Sequence, residues 1–326
     1  MAKAIVIRET GGPEVFSWED FDPGPPSAGE ALVRQEAAGV NFIDVYHRTG
    51  LYPLPEFPAV IGMEGAGVVE ETGEDVLDIR PGDRVAYAGL PPGAYCEMRK
   101  IPAHRLVKVP DGIVLPQAAG MMLRGMTARY LLYGCYPVKK GTRILIHAAA
   151  GGVGSIVTQW ARHLGAVVIG TAGSAEKVER ARNNGCDHVI NYNETDFAGA
   201  VREITDGEGV DVVYDSVGQA TFSKSLDCLR PMGTMVSFGQ SSGSVRPLEV
   251  SVLSAKGSLF LTRPSLMHYT EKREALLAHA ADLFHVVESA AVSIDINQQF
   301  PMKDAADAHR ALESRKTTGS TILTTT

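Results

Sequence analysis

The chain has 326 residues, of which 44% are hydrophobic and 34 are glycine, a composition typical of a globular α/β protein. Its formal net charge of −7 argues against a general nucleic-acid binder, which should carry a basic field. No stretch approaches the roughly 18 uninterrupted apolar residues that a membrane helix needs. The short apolar run within residues 1–8 is soon broken by charge and predicts a first strand rather than a signal peptide. We therefore expect a soluble, cytoplasmic protein.

Residues 1–124 are rich in glycine and proline and poor in long helical patterns. Short candidate strands are separated by turn signals such as PGPP at 23–26 and PGD at 81–83. This region predicts a mostly β module, with candidate strands at 31–35, 66–70, 84–88 and 95–100.

From about residue 125, strand-like runs alternate with helical ones, which predicts a parallel, doubly wound sheet of six strands and hence a Rossmann-type domain. The predicted strands are 143–148, 167–171, 188–192, 210–214, 234–238 and 258–262, and the predicted helices between them include 175–184, 197–205 and 222–229. A helix around 276–287, a strand at 292–296, a helix at 302–313 and a strand at 320–323 follow. We expect this tail to return to the first module, so that 1–124 and 266–326 form one domain and 125–265 the other.

A glycine run, AAGGVG at 149–154, lies between a buried strand at 142–147 and a helix at 155–164. It has G-x-G-x-x-G spacing with Ala149 in the first position. A strand, a glycine turn and a helix N-terminus together form an anion site, because main-chain N–H groups point outward and the helix dipole favours negative charge. The run therefore predicts that a dinucleotide binds with its pyrophosphate at this turn.

The end of the second strand indicates which dinucleotide. NAD sites usually place an acid there, about 20 residues beyond the glycine turn. Here Gly173 and Ser174 occupy that place, and Lys177 follows one turn into the next helix. Ser174 can donate to a 2′-phosphate and Lys177 supplies a positive charge, so the sequence favours NADPH. Tyr192, at the end of the third strand, is a candidate to stack near the adenosine.

Cysteine and histidine spacing argues against a metal site. Cys96, Cys135, Cys186 and Cys228 are about 40 to 50 residues apart, which matches no C-x-x-C pattern, and the nine histidines are scattered. Zinc needs about four nitrogen or sulfur ligands in a structural site, or three with a water in a catalytic one. We predict that neither set can be assembled and that the cysteines are small buried residues.

Several motifs together resemble the medium-chain dehydrogenase/reductase family along essentially the whole chain: GMEGAGVV at 62–69, PGDRV at 81–85, AAGGVG at 149–154 and DSVG at 215–218. Zinc-bearing relatives have a histidine ligand where this chain has Met63, and a cysteine ligand in the region where it has Asn41. The stretch AGVNFIDVYHRTGLY at 38–52 is similar to that of the zinc-free NADPH:quinone oxidoreductases of the zeta-crystallin type. The resemblance implies a GroES-like catalytic domain, a Rossmann domain and an NADPH:quinone oxidoreductase.

The resemblance also implies a site. Without a metal to stabilise an alkoxide, quinones and conjugated enones are the acceptors that need least help. Tyr46 and Tyr52 are candidates to flank a flat quinone and to donate to its oxygen, and Asn41 is a further catalytic candidate. Asp44 and Glu64 are expected to be structural. The implied cofactor residues are Asn41, Thr127, Gly151, Gly152, Val153, Gly154, Gly173, Ser174, Lys177, Tyr192, Phe238, Gln240, Ser241, Phe260, Arg263 and Lys316.

Two other functions stay open at this point. One is an enone or alkenal reductase that uses the same hydride step. The other is a non-catalytic role, either binding of AU-rich RNA or an abundant structural role as in crystallins. The net negative charge argues against RNA binding. The apolar strand 258–262 is expected at a sheet edge, where pairing with the same strand of a second copy would give a homodimer.

Overall fold

Residues 1–325 are described by a computed structural model, in which the strands and helices follow in chain order. The first part contains β1 (Ala2–Ile7), β2 (Ser17–Phe21), β3 (Glu30–Gly39), α1 (Phe42–Arg48), β4 (Ala59–Val60), β5 (Glu64–Thr72), β6 (Arg84–Ala88), β7 (Met98–Pro102), β8 (Val107–Lys108), α2 (Leu115–Ala119) and α3 (Met122–Arg129). A π-helical turn, Tyr130–Cys135, follows α3.

The middle of the chain contains β9 (Arg143–Ile146), α4 (Gly152–His163), β10 (Val167–Ala172), α5 (Ala175–Asn183), β11 (His188–Asn191), α6 (Phe197–Ile204), β12 (Val210–Asp215), α7 (Phe222–Asp227), β13 (Leu229–Ser237), α8 (Ser251–Ala255) and β14 (Phe260–Thr262). The last part contains α9 (Leu266–Tyr269), α10 (Arg273–Glu288), β15 (Ile296–Pro301), α11 (Ala305–Glu313) and β16 (Ser320–Thr324). Among the helices of residues 1–325, none combines the length and apolarity that crossing a membrane requires.

The chain divides into two units. The first comprises residues 1–126, 270–288 and the part from Ile294 on, and the second comprises 127–269 and 289–293. Residues 266–269 and 289–293 lie in the second unit and residues 125–126 in the first, whereas the sequence assigned all of 266–326 to the first module and 125–265 to the other. For 289–293 the reason is local, because the Gln159 amide on α4 binds Ser293 through both main-chain groups, donating to its carbonyl at 3.1 Å and accepting from its N–H at 2.8 Å.

The first unit is built on a sheet of seven strands in the order β15-β16-β3-β5-β6-β8, with β7 paired to β3, and on a small sheet β2-β1-β4. Its long central strand β3 alternates buried and outward-facing residues and becomes buried on both sides toward Gly39. Buried apolar side chains such as Ile5, Val33, Val85 and Leu106 form one core. Asn41, two residues beyond the end of β3, is therefore attached to a buried part of the sheet.

The second unit contains a six-stranded parallel sheet in the order β11-β10-β9-β12-β13-β14. In this doubly wound order, successive strands are added outward from β9 on one side and from β12 on the other. Ligands bind at the carboxyl ends of the strands where the strand order reverses in this way, here between β9 and β12. Leu145, Ile169, Val213 and Met235 from adjacent strands pack in one core. The predicted fold class, a β-rich domain with a six-stranded Rossmann domain, is confirmed.

The structure corrects the limits of several predicted elements. The strand predicted at 234–238 begins earlier, at Leu229, and the strand predicted at 292–296 lies instead at Ile296–Pro301, where it pairs with β16. The strand predicted at 95–100 begins only at Met98. Tyr95 is instead held by main-chain bonds to Ile61 at 2.9 Å and Ile5 at 2.8 Å, in a different sheet environment.

Candidate active site

The glycine run forms a tight turn between β9 and α4, as predicted. Ala148 adopts a positive φ of 54°, and Gly151 is the N-cap of α4. A Cβ on Gly154 would collide with the Ala148 carbonyl, so the helix approaches the turn at a distance that only glycine allows. The first-turn N–H groups of α4 have no partner within the helix, and they suit a phosphate. The turn therefore fits the pyrophosphate of a dinucleotide.

The carboxyl end of β10 carries the predicted acid-free group. Ser174 is the N-cap of α5, and its oxygen accepts from the main-chain N–H of Lys177 at 3.3 Å, which leaves its own O–H free to donate. A Cβ on Gly173 would collide with the Tyr192 hydroxyl, so these two residues are in direct contact. The structure thus brings Gly173, Ser174, Lys177 and Tyr192 together at one end of the sheet.

Asp215 organises the next two predicted loops. Its buried carboxylate accepts from the main-chain N–H groups of Val217 at 2.7 Å and Gly218 at 3.0 Å, and from the Thr221 hydroxyl. The loop that contains Phe238, Gln240 and Ser241 packs on this turn, since Phe238 N–H donates to the Asp215 carbonyl and Ser241 N–H to the Ser216 carbonyl. Phe238, Gln240 and Ser241 therefore share a rigid support.

The remaining cofactor candidates lie in different surroundings. Arg263 donates to the carbonyls of Ser237 at 2.8 Å and Gly239 at 3.1 Å, and so holds the 238–241 loop. Thr127 is buried and forms a side-chain hydrogen bond with Tyr130, whose ring stacks on Tyr269. Phe260 is 62% exposed on the edge strand β14, and Lys316 is exposed after α11 in the first unit.

In the first unit, α1 and the loop after it present two aromatic rings. Tyr46 and Tyr52 are half-buried and contact each other edge to face, with centroids 5.2 Å apart. The N–H of Tyr52 donates to the Tyr46 carbonyl at 3.0 Å, which fixes the loop against the helix. This spacing leaves no room for a flat ring between the two tyrosines, so an aromatic ligand would lie against the pair.

Asn41 lies between two buried carboxyl groups. Its side-chain Nδ2 donates to Glu64 Oε2 at 2.8 Å, and its main-chain N–H donates to Asp44 Oδ2 at 2.8 Å. Glu64 Oε1 accepts from Leu123 N–H at 2.8 Å, and Arg124 lies 3.9 Å from Oε2. Glu64 presses against Gly39, where a Cβ would collide with it. A glycine is therefore required at the end of β3.

Asp44 begins a buried chain of hydrogen bonds. Tyr95 donates to Asp44 Oδ2 at 3.0 Å, His309 Nε2 lies 3.1 Å from the Tyr95 hydroxyl, and His309 Nδ1 lies 3.0 Å from Arg48 Nη1. Arg48 in turn binds Glu313 with two bonds of 2.8 and 2.9 Å. Arginine can only donate, so His309 accepts at Nδ1, carries its proton on Nε2 and donates to Tyr95. Every bond between Arg48 and Asp44 is thus directed toward Asp44.

Burial dominates the electrostatics of this cluster. It raises the pKa of Asp44 to about 7, against the opposing effect of its hydrogen bonds to Asn41 and Tyr95. It also raises the pKa of Glu64, against the opposing charge of Arg124. Burial, together with the charge of Arg48, lowers the pKa of His309 to about 3. His309 is therefore neutral at physiological pH, as the bond directions require.

Comparison with known proteins assigns the chain to a family. Residues 27–111 match the alcohol dehydrogenase GroES-like domain, and residues 152–280 match the zinc-binding dehydrogenase family. The chain is 48% identical over 323 residues to a quinone oxidoreductase of Pseudomonas aeruginosa, covering 99% of both chains. This protein belongs to the medium-chain dehydrogenase/reductase family. The family membership that the sequence motifs predicted is confirmed.

Two further proteins are similar to this chain over its whole length. It is 48% identical over 329 residues to a 2-haloacrylate reductase of a Burkholderia species, with 99% of each chain covered. It also superposes with a TM-score of 0.97 on the crystal structure of Escherichia coli quinone oxidoreductase complexed with NADPH, at 46% identity, covering 99% of this chain and 100% of that one.

Where zinc-bearing members of the medium-chain dehydrogenase/reductase family bind their metal, this member has an amide and a thioether. Met63 is fully buried, and Asn41 is bound to Glu64. In residues 1–325, no group of three or more His, Cys, Asp or Glu side chains is arranged to hold a metal ion. At these two positions, Asn41 forms hydrogen bonds within the protein, and Met63 is part of the buried interior.

Sequence reasoning missed several residues of this family member that support the site. His147 is buried at the end of β9 and bridges Thr171 at 2.9 Å and Ser225 at 2.8 Å, so that it connects β9, β10 and α7. Arg124, Tyr95 and His309 were missed as well. No local pattern marks a partner 214 residues away, such as His309 for Tyr95.

Proposed function

We propose that this protein is a cytoplasmic NADPH:quinone oxidoreductase that transfers a hydride from NADPH to quinones without a metal ion. The observation that carries the proposal is the half-buried Tyr46–Tyr52 pair, whose edge-to-face rings offer an aromatic surface with two hydroxyl groups. The relatives named quinone oxidoreductase, at 46% and 48% identity over the whole chain, support it. A quinone, one NADPH and one proton would give a hydroquinone and NADP⁺.

On the second unit, the glycine turn and the end of β10 supply the cofactor contacts. NADPH, when bound, supplies the hydride. We propose that Gly151, Gly152, Val153 and Gly154 hold the pyrophosphate. The N–H groups of 152–154, in the first turn of α4, would donate to it, while Gly151, whose N–H donates to the Ala148 carbonyl at 2.8 Å, shapes the turn. We propose that Ser174 and Lys177 bind the 2′-phosphate beside Gly173 and Tyr192, since a hydroxyl donor and a cation suit a phosphate. Thr127, Phe238, Gln240, Ser241, Phe260 and Arg263, and Lys316 on the first unit, are further proposed contacts.

On the first unit, Asn41, Tyr46 and Tyr52 are the proposed catalytic residues. The tyrosine rings bind and orient the acceptor, and their hydroxyls donate hydrogen bonds to an oxygen that becomes negative during reduction. Because a quinone spreads that charge over a conjugated system, such bonds orient more than they drive the reaction. Residues 1–124 and 266–326, apart from 266–269 and 289–293, would act as the catalytic domain, and 125–265 as the NADPH domain.

A second candidate function is reduction of activated alkenes by the same hydride step. The similarity to a 2-haloacrylate reductase favours this alternative, because that relative is as similar to this chain as the quinone oxidoreductase from Pseudomonas aeruginosa. The two functions differ in the acceptor and share the cofactor site.

Oxidation of NADPH against a panel of benzoquinones, naphthoquinones, alkenals and 2-haloacrylates tests the proposal. We expect the largest kcat/KM with quinones, a preference for NADPH over NADH, and rates unaffected by a chelator. Faster reduction of alkenals or haloacrylates would select the second candidate. Loss of activity with the chelator would contradict a metal-independent reaction.

We also propose a homodimer through the edge strand β14. Its residues Phe260 and Leu261 are 62% and 40% exposed, and an apolar sheet edge favours pairing with another strand. Antiparallel pairing of two copies of β14 would cover both edges with two-fold symmetry. Light scattering at micromolar concentration should give twice the mass of one chain, and a monomer would refute the proposal.

A further inference from the structure

We propose that Glu64 is a positioning residue that holds the side-chain amide of Asn41, so that one N–H of this amide remains available to donate to a bound ligand. The inference rests on the proposed function in one respect only, namely that Asn41 contacts the cofactor or the acceptor. It gives a role to a carboxylate that the sequence indicated to be merely structural.

The acceptors around Asn41 determine the orientation of its side-chain amide. Glu64 Oε1 accepts from Leu123 N–H at 2.8 Å, and Oε2 lies 2.8 Å from Asn41 Nδ2 and 3.9 Å from Arg124. Both carboxylate oxygens therefore act as acceptors. A carbonyl oxygen of Asn41 at the same place would be repelled, so Nδ2 must face Glu64.

Most hydrogen-bonding groups of the Asn41 amide are occupied by protein partners. Asn41 is the N-cap of α1 and forms a capping box with Asp44, in which its side-chain oxygen faces the Asp44 N–H. One hydrogen of Nδ2 is bound to Glu64. Among residues 1–325 the second hydrogen has no protein acceptor, and Asn41 is 6% exposed. A nearly buried amide with one remaining donor in a fixed direction is suited to bind a ligand oxygen.

The groups that hold Asn41 and Glu64 are themselves held by Arg124. Arg124 donates to the carbonyl of Val40, the residue before Asn41, and to the Gly120 carbonyl at 2.8 Å. Asn41, Glu64, Arg124 and Val40 therefore form a closed ring of contacts. Gly39, whose missing side chain makes room for the Glu64 carboxylate, completes it. Rotation of the Asn41 amide would break the ring, so the direction of its remaining N–H is determined by Glu64.

A double-mutant cycle with Glu64→Gln and Asn41→Ala tests this role. A glutamine has one carbonyl oxygen, so it cannot accept from both Leu123 and Asn41. We expect each single variant to lower kcat/KM about tenfold or more, which is typical of a lost hydrogen bond to a charged group. In the Asn41→Ala background, Glu64→Gln should have roughly no further effect. The proposal would be overturned if the two single losses of kcat/KM multiplied in the double variant, or if Glu64→Gln alone had the kcat/KM of the wild type.

Asp83→Asn is the matched control for stability. Asp83 also accepts from a main-chain N–H, that of Arg80 at 2.8 Å, and pairs with Lys108 at 2.9 Å in the same unit. The Asp83→Asn substitution should lower Tm and leave kcat/KM within about twofold of the wild type. An equal loss of kcat/KM in Asp83→Asn and Glu64→Gln would show a general effect of destabilisation and would refute positioning.

The charge-conserving exchange Asn41→Asp with Glu64→Gln covers the case in which Glu64→Gln does not fold. The exchange restores the buried hydrogen bond with reversed polarity, because the amide introduced by Glu64→Gln can donate to the carboxylate introduced by Asn41→Asp. The double variant should fold and remain at the low kcat/KM of Asn41→Ala, since no N–H is left for a ligand. Activity equal to the wild type would overturn the proposal.

Failure of the proposed function would be seen separately. If the wild type oxidises no NADPH with any quinone, the proposed function fails. The double-mutant cycle is then repeated with the Kd of NADPH, obtained from NADPH fluorescence, in place of kcat/KM. We expect the same non-additive pattern. An Asn41→Ala variant that changes neither kcat/KM nor this Kd would refute the inference about Glu64, whatever the acceptor.

Discussion

Asp44→Asn should make the protein sensitive to acid, because Asp44 and His309 have opposing effects on stability. Burial raises the pKa of Asp44 to about 7, while an unfolded aspartate has a pKa of about 4. Between about pH 4 and pH 7, Asp44 therefore keeps a proton in the folded chain that it releases in the unfolded chain. The stabilisation is fully present below the unfolded pKa and is lost as the pH rises through about 7.

His309 contributes with the opposite sign. Its pKa is lowered to about 3 in the folded protein, so its stabilisation is present above the unfolded pKa of about 6.5 and is lost as the pH falls toward 3. Between pH 7 and pH 5, the free energy of unfolding gains about 2 kcal/mol from Asp44 and loses about 2 kcal/mol from His309. In the wild type the two contributions nearly cancel.

The variant removes the first contribution and retains the second. The difference in free energy of unfolding between Asp44→Asn and the wild type should become about 2 kcal/mol more unfavourable at pH 5 than at pH 7. Urea unfolding, followed at both pH values, measures it, and the corresponding change in Tm is a few degrees. His309→Gln should show the opposite sign. An Asp44→Asn difference that is equal at both pH values would refute the reasoning.

Three further predictions concern the site. Lys177→Ala should raise the Kd of NADPH by about tenfold to a hundredfold and leave that of NADH nearly unchanged, because only NADPH has a 2′-phosphate; equal effects would exclude this role. Tyr52→Phe should lower kcat with quinones by less than about tenfold, since positioning matters more than acid catalysis, and a loss above about a thousandfold would contradict it. Gly154→Ala should lower Tm and weaken NADPH binding in titration, because its Cβ would collide with the Ala148 carbonyl; unchanged Tm and binding would show that the turn can adapt.

Features that depend on neighbouring residues could be predicted without the structure. The glycine turn, the alternation of β and α elements and the acid-free end of β10 were all predicted, because backbone periodicity and turn chemistry act over a few residues. The edge position of 258–262 was predicted as well, although the strand itself covers only Phe260–Thr262. The sequence placed Tyr46 and Tyr52 on either side of a flat quinone, whereas their rings contact each other. These two tyrosines lie on one short helix and the loop after it, so the chain itself keeps them close together.

The surroundings of Asn41, by contrast, depend on tertiary packing. Its partner Glu64 is 23 residues away, and the partner of Arg48, His309, is 261 residues away. Such contacts depend on how β3, β5 and α11 pack, and no local pattern specifies that register. The same packing gives Asp44 a raised pKa and keeps His309 neutral, since both effects arise from burial. The residue types were visible in the sequence, whereas their roles depend on which of them the fold removes from water together.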